Sequence, residues 1–281
     1  TALKSIELMM FNGEQNVDVN DIESSRCPEW TEHLVARNYW PICKVGYRSG
    51  DVTAMTRFEE VYEAFIRQYL LQIDFWIAAF ENFITPSHEN YHTSFVLAGT
   101  YPDCRLSGAD PMRGGGYREK CLMGFVGHVP AAADCLAGIK QVVFEQGACT
   151  MAELQAAMAA DFEGHEELRQ RLVHASKFGN DDDVVDNIAS GIVDRLIAHF
   201  KQTRGVHGKP YWLALYTAAF LGVQDIVGAT PDGRKWGDTT GMHYAPVPGR
   251  ALNGPTAVLK SAAKACLGDA SGTAPVNVNL P

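Results

Sequence analysis

A run of acidic residues, KFGNDDDVVD from Lys177 to Asp186, has the residue types for metal binding or acid–base catalysis. The same run can also begin a helix. Apolar residues recur on one helical face from Val184 to Phe200, which places the aspartates at a helix N-terminus. There Asn180 or Asp181 can cap the free N–H groups, and the helix dipole favours negative charge.

The carboxylate spacing does not match a calcium-binding loop, which alternates oxygen ligands and ends in a bidentate glutamate. The sequence therefore predicts no metal site in this chain. One alternative is a metallohydrolase that would use Asp181, Asp182, Asp183 and His174.

A second stretch that could contact a ligand is GADPMRGGGYREKCLMGFVGH, residues 108–128. Its glycines allow backbone conformations that are closed to other residues, and they allow close approach to a ligand. The stretch matches neither the GxxxxGK[ST] nor the GxGxxG pattern in its structural context, so no nucleotide site is predicted. Its polar candidates for substrate contact are Arg113, Glu119 and Cys121.

The stretch KPYWLALYTAAFLG, residues 209–222, is apolar and aromatic almost throughout. This pattern predicts a strand buried on both faces, as in the wall of a barrel. Alternation would place Leu213, Leu215 and Thr217 on one face, and Tyr216 and Phe220 on the other. Leu213, Leu215, Tyr216 and Thr217 are the candidates here for lining a substrate cavity.

Helices must position these segments. A long helix is predicted from a capping box of Thr56 and Glu59 to Pro86, where proline ends it. Thr150 and Glu153 form a second capping-box pattern. Apolar spacing also indicates helices near residues 3–10, 131–145 and 164–175.

Composition excludes several classes of function. The 281 residues include 46% hydrophobic and 20% charged residues, and the net charge of -9 disfavours binding to a phosphate backbone. No apolar run approaches the roughly 18 residues of a membrane helix. Seven cysteines are widely spread without a CxxC pair, which is typical of a reducing compartment. We therefore expect a cytoplasmic protein that binds neither nucleic acid nor a membrane.

KFGNDDDVVD resembles the YGNDDxxVD segment of the glycyl radical enzymes, the family of pyruvate formate-lyase. Six further segments resemble motifs of this family in the same order and cover nearly the whole chain. They are ALKSIELMMFNG, VGYRSGD, GGGYREKCLMGFVGHVPAAADCLAGIKQVVFE, VGATPDGRKWGD, GPTAVLKSAAK and SGTAPVNVNL. By this resemblance the chain is identified as a member of the family.

The resemblance implies an α/β fold, part of the ten-stranded α/β barrel of glycyl radical enzymes. Two loops meet inside that barrel: one carries a cysteine that becomes a thiyl radical, and the other carries the glycine that stores the radical. Residues 1–281 would form part of this single barrel domain, its second half-barrel, between the cysteine loop and the C-terminal glycyl radical domain. Neither radical residue is expected in this chain, and Gly46 is interpreted as a turn glycine.

The resemblance also implies an enzyme of the lyase class, active only with the missing cysteine and glycine segments. Small polyol substrates need several converging hydrogen-bond partners, because an unpaired buried hydroxyl costs roughly 1–3 kcal/mol. The segment LALYTAAFLG, residues 213–222, is apolar and has no histidine. We therefore expect radical carbon–carbon chemistry on an apolar or bulky substrate, either fumarate addition, as in alkyl- or benzylsuccinate synthase, or arylacetate decarboxylation.

Two alternatives stay open. One is a radical lyase that eliminates across a carbon–oxygen or carbon–nitrogen bond, of the diol, choline or hydroxyproline type. In that type a glutamate stands two residues past the thiyl cysteine, outside this sequence. The other alternative belongs to a different class, an inactive scaffold or binding module.

Cofactors and partners are likewise implied by the resemblance. The chain itself would bind no cofactor, and the glycyl radical would lie in the missing C-terminal segment. A radical-SAM activating enzyme with an iron–sulfur cluster would install it. We expect a homodimer, with small accessory subunits as a further option, that acts on a small molecule.

Overall fold

The computed structural model describes residues 2–14, 48–79, 95–109, 122–205, 210–217, 223–270 and 272–278. Helices dominate this part of the chain. They are α1 (Ala2–Met10), α2 (Phe58–Ala79), α3 (Phe95–Thr100), α4 (Pro102–Ser107), α5 (Val129–Gly138), α6 (Met151–Ala159), α7 (Glu166–His174), α8 (Asp183–Gln202), α9 (Val223–Ile226) and α10 (Gly254–Ala263). A π-helical stretch, Ile139–Glu145, continues α5, and short 3₁₀ turns lie at Val52–Ala54 and Leu267–Asp269.

The two strands, β1 (Leu122–Phe125) and β2 (Tyr211–Ala214), pair in parallel. An extended segment from Gly272 runs along the other edge of β2. Gly272 N–H donates to Leu213 O (2.9 Å), and Leu215 N–H donates to Thr273 O (2.7 Å). A Cβ on Gly272 would lie 2.8 Å from the Leu213 oxygen, so this close approach requires glycine. β2 is therefore the middle of three extended segments.

The helices bury this small sheet. α8 packs against both β2 and α5, and α1 packs against α2 and α5. Every residue of α5 is buried, which makes α5 the central helix of the described core. The apolar face of α8 is buried as its spacing predicts; it consists of Val185, Ile188, Ala189, Ile192, Val193, Leu196, Ile197 and Phe200. No helix in the described ranges combines the length and apolarity needed to cross a bilayer.

The acidic run lies at the N-terminus of α8, as predicted, but the predicted capping residue is wrong. Asp182 is the N-cap, and its Oδ1 accepts from Val184 N–H (2.9 Å). Asn180 instead ties this turn to a distant loop, since its Oδ1 accepts from Leu252 N–H (2.7 Å) and Asn253 N–H (3.2 Å). A long-range contact therefore decides which of the adjacent polar residues caps the helix.

The two predicted capping boxes have different outcomes. The box at the start of α6 is confirmed: Glu153 N–H donates to Thr150 Oγ1 (3.2 Å), and Thr150 N–H donates to Glu153 Oε2 (2.7 Å). The box at the start of α2 is wrong, because Glu60 and not Glu59 accepts from Thr56 N–H (2.9 Å). The end predicted for α2, Pro86, lies outside the described residues.

The predicted strand over 209–222 forms in its first half. Within β2, Tyr211, Leu213 and Ala214 are buried, and α8 covers the strand. The strand ends at Ala214, earlier than predicted. Leu215 is fully buried, while residues 218–222 lie outside the described residues. Alternation from Leu213 consequently does not extend to Thr217.

We predict that Gly124→Ala destabilises the protein by about 1–3 kcal/mol, because overpacking a tight contact costs that much. A methyl group at Gly124 on β1 would overlap the ring of Phe200 on α8. Urea unfolding followed by circular dichroism measures the change. Gly99→Ala on α3 is the matched control, since an added Cβ there meets no atom of the described residues within 4 Å. Equal stability of Gly124→Ala and the unmodified protein would contradict the contact.

Candidate functional site

A polar cluster lies where the chain leaves the C-terminal ends of the two strands. Beyond Phe125 the chain passes through Gly127 and His128 into α5, and beyond Ala214 it passes through residues 215–217. Because β1 and β2 are parallel, these two segments lie side by side. Open α/β sheets bind ligands at the carboxyl ends of their strands. This cluster is therefore the candidate functional site.

Thr217 and His243 hold each other by two reciprocal hydrogen bonds. Thr217 N–H donates to His243 Nδ1 (3.1 Å), and His243 N–H donates to Thr217 Oγ1 (3.1 Å). Gly127 approaches the same hydroxyl so closely that an added Cβ would lie 2.7 Å from Thr217 Oγ1. The pair thus joins the end of β2 to the loop before α10, and it requires glycine at the end of β1.

The His243 ring is fixed both in orientation and in tautomer. Its centroid lies 4.6 Å from that of Tyr216, with the two planes 30° apart. Because Nδ1 accepts a backbone N–H, the neutral ring carries its proton on Nε2. Burial lowers the pKa of His243 below its ordinary value, which favours the neutral form. The ring therefore presents Nε2–H as a hydrogen-bond donor.

His128 is a second neutral histidine of this cluster. It precedes α5 with a left-handed backbone (φ 69°) and is almost fully buried. Burial, with a smaller contribution from the nearby Arg234 and His243, lowers its pKa to about 3. Its Nε2 lies 3.3 Å from Thr240 Oγ1, while its Nδ1 has no hydrogen-bond partner among the described residues. One ring nitrogen is therefore left able to bond to a group from outside them.

Buried Arg234 holds the loop that carries Thr240 and His243. Its guanidinium donates to Thr230 Oγ1 (3.2 Å) and to several carbonyl oxygens, those of Val227, Gly228, Lys235 and Asp238. Asp232 Oδ1 in turn accepts from Thr230 Oγ1 (2.6 Å). The loop has little regular secondary structure, so these bonds supply the partners that its buried carbonyls require.

A buried acid and a buried base lie close enough to this loop to interact with its Asp232. Asp134 Oδ1 accepts from Phe178 N–H (2.7 Å), and Oδ2 has no partner among the described residues. Burial raises the pKa of Asp134 to about 7, against the opposing effect of Lys177. Lys177 donates to the carbonyl oxygens of Leu172 (2.7 Å) and Ala175 (3.0 Å), and burial lowers its pKa. Both groups brace the turn before α8.

The carboxylates of the metallohydrolase alternative are engaged in structural contacts. Asp182 caps α8, and Lys264, directly after α10, lies 3.1 Å from Asp181 and 2.8 Å from Asp183. His174 Nδ1 lies 2.7 Å from Gln170 O within α7. Within the described ranges, no three His, Cys, Asp or Glu side chains are placed to hold a metal ion. These lysine contacts give the acidic run a structural role, because they link the start of α8 to the end of α10.

The predicted substrate-binding residues fall into three groups. Thr217 and Tyr216 belong to the cluster through their contacts with His243. Leu213 and Leu215 are buried in the apolar core, and their backbones bond to the segment after Gly272. The remaining candidates lie outside the described residues; they are Arg113, Glu119 and Cys121.

Sequence reasoning missed His128, Thr240 and His243. His128 carried a weak signal, because it follows a glycine directly after an apolar segment in the glycine-rich stretch. Thr240 and His243 carried none, since they lie in a turn-rich segment about 25 residues beyond β2. Only the folded chain brings them to the strand ends.

Comparison with known proteins identifies close similarities. Residues 37–222 match the family model described as "Pyruvate formate lyase-like". The chain is 33% identical over 249 residues to trans-4-hydroxy-L-proline dehydratase from Clostridioides difficile, covering 84% of this chain and 30% of that protein. Further curated relatives are named as dehydratases or as isethionate sulfite-lyases. The chain therefore spans 26–30% of the length of these curated relatives.

Two solved structures show the same fold. The B12-independent glycerol dehydratase from Clostridium butyricum superposes with a TM-score of 0.81 at 24% identity, over 98% of this chain and 32% of that one. A glycyl radical enzyme from Archaeoglobus fulgidus gives 0.81 at 19% identity, over 99% and 32%. These similarities confirm the predicted fold class, part of the glycyl radical enzyme barrel.

The expectation of fumarate addition or arylacetate decarboxylation on an apolar substrate is wrong. The curated relatives carry the names of eliminating enzymes, dehydratases and sulfite-lyases. The expectation rested mainly on the apolar character of residues 213–222. Those side chains are buried in the core, while the polar groups of the site come from the segments around His128 and His243.

We predict that Asp134→Asn removes a pH dependence of stability. The folded carboxyl holds its proton to about pH 7 and the unfolded one only to 3.8, so the folded state binds more protons in between. Stability therefore falls as the pH rises through this window. Asn keeps the acceptor for Phe178 N–H without the charge. Between about pH 5 and about pH 8, the free energy of unfolding of the variant should rise by about 1–3 kcal/mol relative to that of the unmodified protein.

Urea unfolding at a series of pH values measures this difference. Asp194→Asn on α8 is the matched control, because Asp194 is exposed and its replacement should leave the pH dependence unchanged. Parallel pH profiles for Asp134→Asn and the unmodified protein would show that the buried carboxyl is already ionised.

Proposed function

Because this chain belongs to the pyruvate formate lyase-like family of glycyl radical enzymes, we propose that it forms part of the barrel of a radical lyase that eliminates water from a small hydroxylated substrate. Elimination of another leaving group from the carbon next to a hydroxyl would need the same kind of site. The relative with 33% identity is a dehydratase, which supports this reaction type.

Residues 1–281 are proposed to be one part of a single barrel domain, its second half-barrel. The chain matches about 30% of the length of its dehydratase relative, so much of such a barrel lies outside the matched segment. The thiyl cysteine and the radical glycine are proposed to lie in those outside segments, the glycine in a C-terminal one. An activating enzyme would install the radical, and the catalytic subunit would form a homodimer.

The observation that carries this proposal is the convergence of neutral polar groups at the strand ends. Thr217, His243, His128 and Thr240 come from three separate segments and meet there. A hydroxylated substrate needs such partners, since an unpaired buried hydroxyl costs roughly 1–3 kcal/mol. Their pairing within the protein also keeps each of them in a defined orientation before a substrate binds.

The residues of this chain have binding and shielding roles in the proposed reaction. When installed, the glycyl radical supplies the hydrogen-atom abstraction that starts the reaction. The radical requires that water be excluded, and the described residues are proposed to contribute to this by their packing. Tyr211, Leu213 and Leu215 are buried, which excludes water from the sheet. Tyr216 and Thr217 orient the substrate from the strand end.

Leu213 and Leu215 are proposed to act by packing rather than by polar contact with the substrate. Arg113, Glu119 and Cys121 stay candidates for substrate contact.

The reaction is tested with the full-length enzyme, activated anaerobically and supplied in turn with glycerol, propane-1,2-diol and trans-4-hydroxy-L-proline. We expect mass spectrometry to detect loss of water from at least one of them. Electron paramagnetic resonance must show the glycyl radical in the same sample, so that failed activation is recognised. A radical-bearing enzyme that dehydrates none of these compounds and instead adds a hydrocarbon to fumarate would contradict the proposal.

We predict that Thr217→Val lowers kcat/KM by about 10- to 100-fold, because it removes the hydroxyl that accepts from His243 N–H. Valine has nearly the same shape, so the contact with Gly127 is kept. Steady-state kinetics of the activated enzyme measure the loss. Thr256→Val on α10 is the control, an exposed threonine remote from the strand ends in sequence, and it should leave kcat/KM unchanged. Activity of Thr217→Val within about twofold of the unmodified enzyme would remove Thr217 from the site.

A further inference from the structure

We infer that His243 is a specificity-determining residue whose Nε2–H group binds an uncharged hydroxyl oxygen of the substrate. The inference rests on the proposed function and deepens it, since it assigns the chemical class of the bound group. Three observations carry it, namely the backbone conformation of His243, the constraint on its ring, and the charges around it.

The backbone of His243 is in the left-handed region, with φ of 54°. This region is unfavourable for residues with a Cβ and costs of order 1 kcal/mol, whereas glycine adopts it freely. The turn itself would form more easily with glycine. Tyr244, the next residue, is fully buried against Phe178 and anchors the turn in the core. Because glycine would suit this position better, a histidine here indicates that its side chain has a role other than forming the turn.

The side chain is held so that only Nε2 is available for another bond. Thr217 N–H occupies Nδ1, and the Tyr216 ring lies along one side of the imidazole. No described residue is within hydrogen-bond distance of Nε2, and the residue is only half-buried, so Nε2 is not enclosed by protein atoms. The donor is thus pre-organised, and a ligand that accepts from it need not reorient the ring.

The charges around His243 favour an uncharged acceptor. His128 is held neutral by burial, and so is His243 itself. Arg234 is a cationic group that influences this cluster, and its guanidinium is engaged by backbone carbonyls and Thr230. A carboxylate or sulfonate bound at Nε2 would carry a full charge, which is costly to desolvate opposite a neutral donor. A hydroxyl oxygen needs only the single neutral donor.

The test compares His243→Gly and His243→Asn with the unmodified full-length enzyme before activation. Isothermal titration calorimetry with glycerol, propane-1,2-diol and trans-4-hydroxy-L-proline gives the dissociation constants. We expect both variants to bind about 10-fold more weakly, the loss of one neutral hydrogen bond. The thermal midpoint of His243→Gly should change little, because relief of the left-handed strain offsets the loss of the acceptor for Thr217 N–H.

The activated enzyme gives a second readout. The variants should raise KM about 10-fold and change kcat by less than about threefold, since the inferred contact holds the substrate without touching the reacting bond. His174→Asn is the control, an exposed histidine on α7 whose replacement should change neither constant. A loss in kcat alone would contradict a binding role.

Unchanged dissociation constants in His243→Gly, or no binding of any of the three compounds by the unmodified enzyme, would overturn the inference. Its failure is distinguishable from failure of the proposed function. The function fails when the radical-bearing unmodified enzyme dehydrates none of the compounds, whatever the binding data show. The inference fails when binding or turnover is present in the unmodified enzyme and the glycine variant keeps it.

Discussion

One buried guanidinium is the interaction on which the site depends. Arg234 is almost fully buried, and it donates to four carbonyl oxygens and a hydroxyl within a loop that has little regular structure of its own. Without it, several buried carbonyls would lack partners, each at a cost of roughly 1–3 kcal/mol. The same loop packs its Pro231 carbonyl onto Gly138 of α5, where no side chain would fit. Arg234 thereby holds this irregular segment in one conformation.

The position of the loop matters because the strand ends alone do not form a site. Gly127 follows β1 and Thr217 follows β2. The polar contacts of Thr217, however, are with His243, which comes after the turn at Arg234 in the sequence. Gly127 must lack a side chain so that Thr217 can lie beside it. Three segments distant in sequence therefore have to be placed accurately relative to one another. The buried helix α5, which begins at the site, supplies the rigid support.

Sequence patterns predicted the features that depend on nearest neighbours in the chain. The apolar face of α8 and the capping box of α6 follow from residues three or four apart, and both are present. The patterns failed where a contact with a distant part of the sequence determines which of several similar residues forms an interaction. Asn180 does not cap α8, because its amide is bonded to the backbone at Leu252 and Asn253. The ordered family motifs identified the barrel, a result that periodicity alone could not give.

The prediction of the substrate class was wrong for a related reason. An apolar strand was interpreted as an apolar cavity wall, yet a strand buried in a helix-covered sheet is apolar because its side chains contact the core. Leu213 and Leu215 are buried for this reason, and their character says little about the ligand. The groups that can recognise a substrate are those that the core does not use, and they lie where the strands end. Among the described residues the candidates include Thr217 and the neutral His128 and His243, which suit a hydroxyl group better than a hydrocarbon.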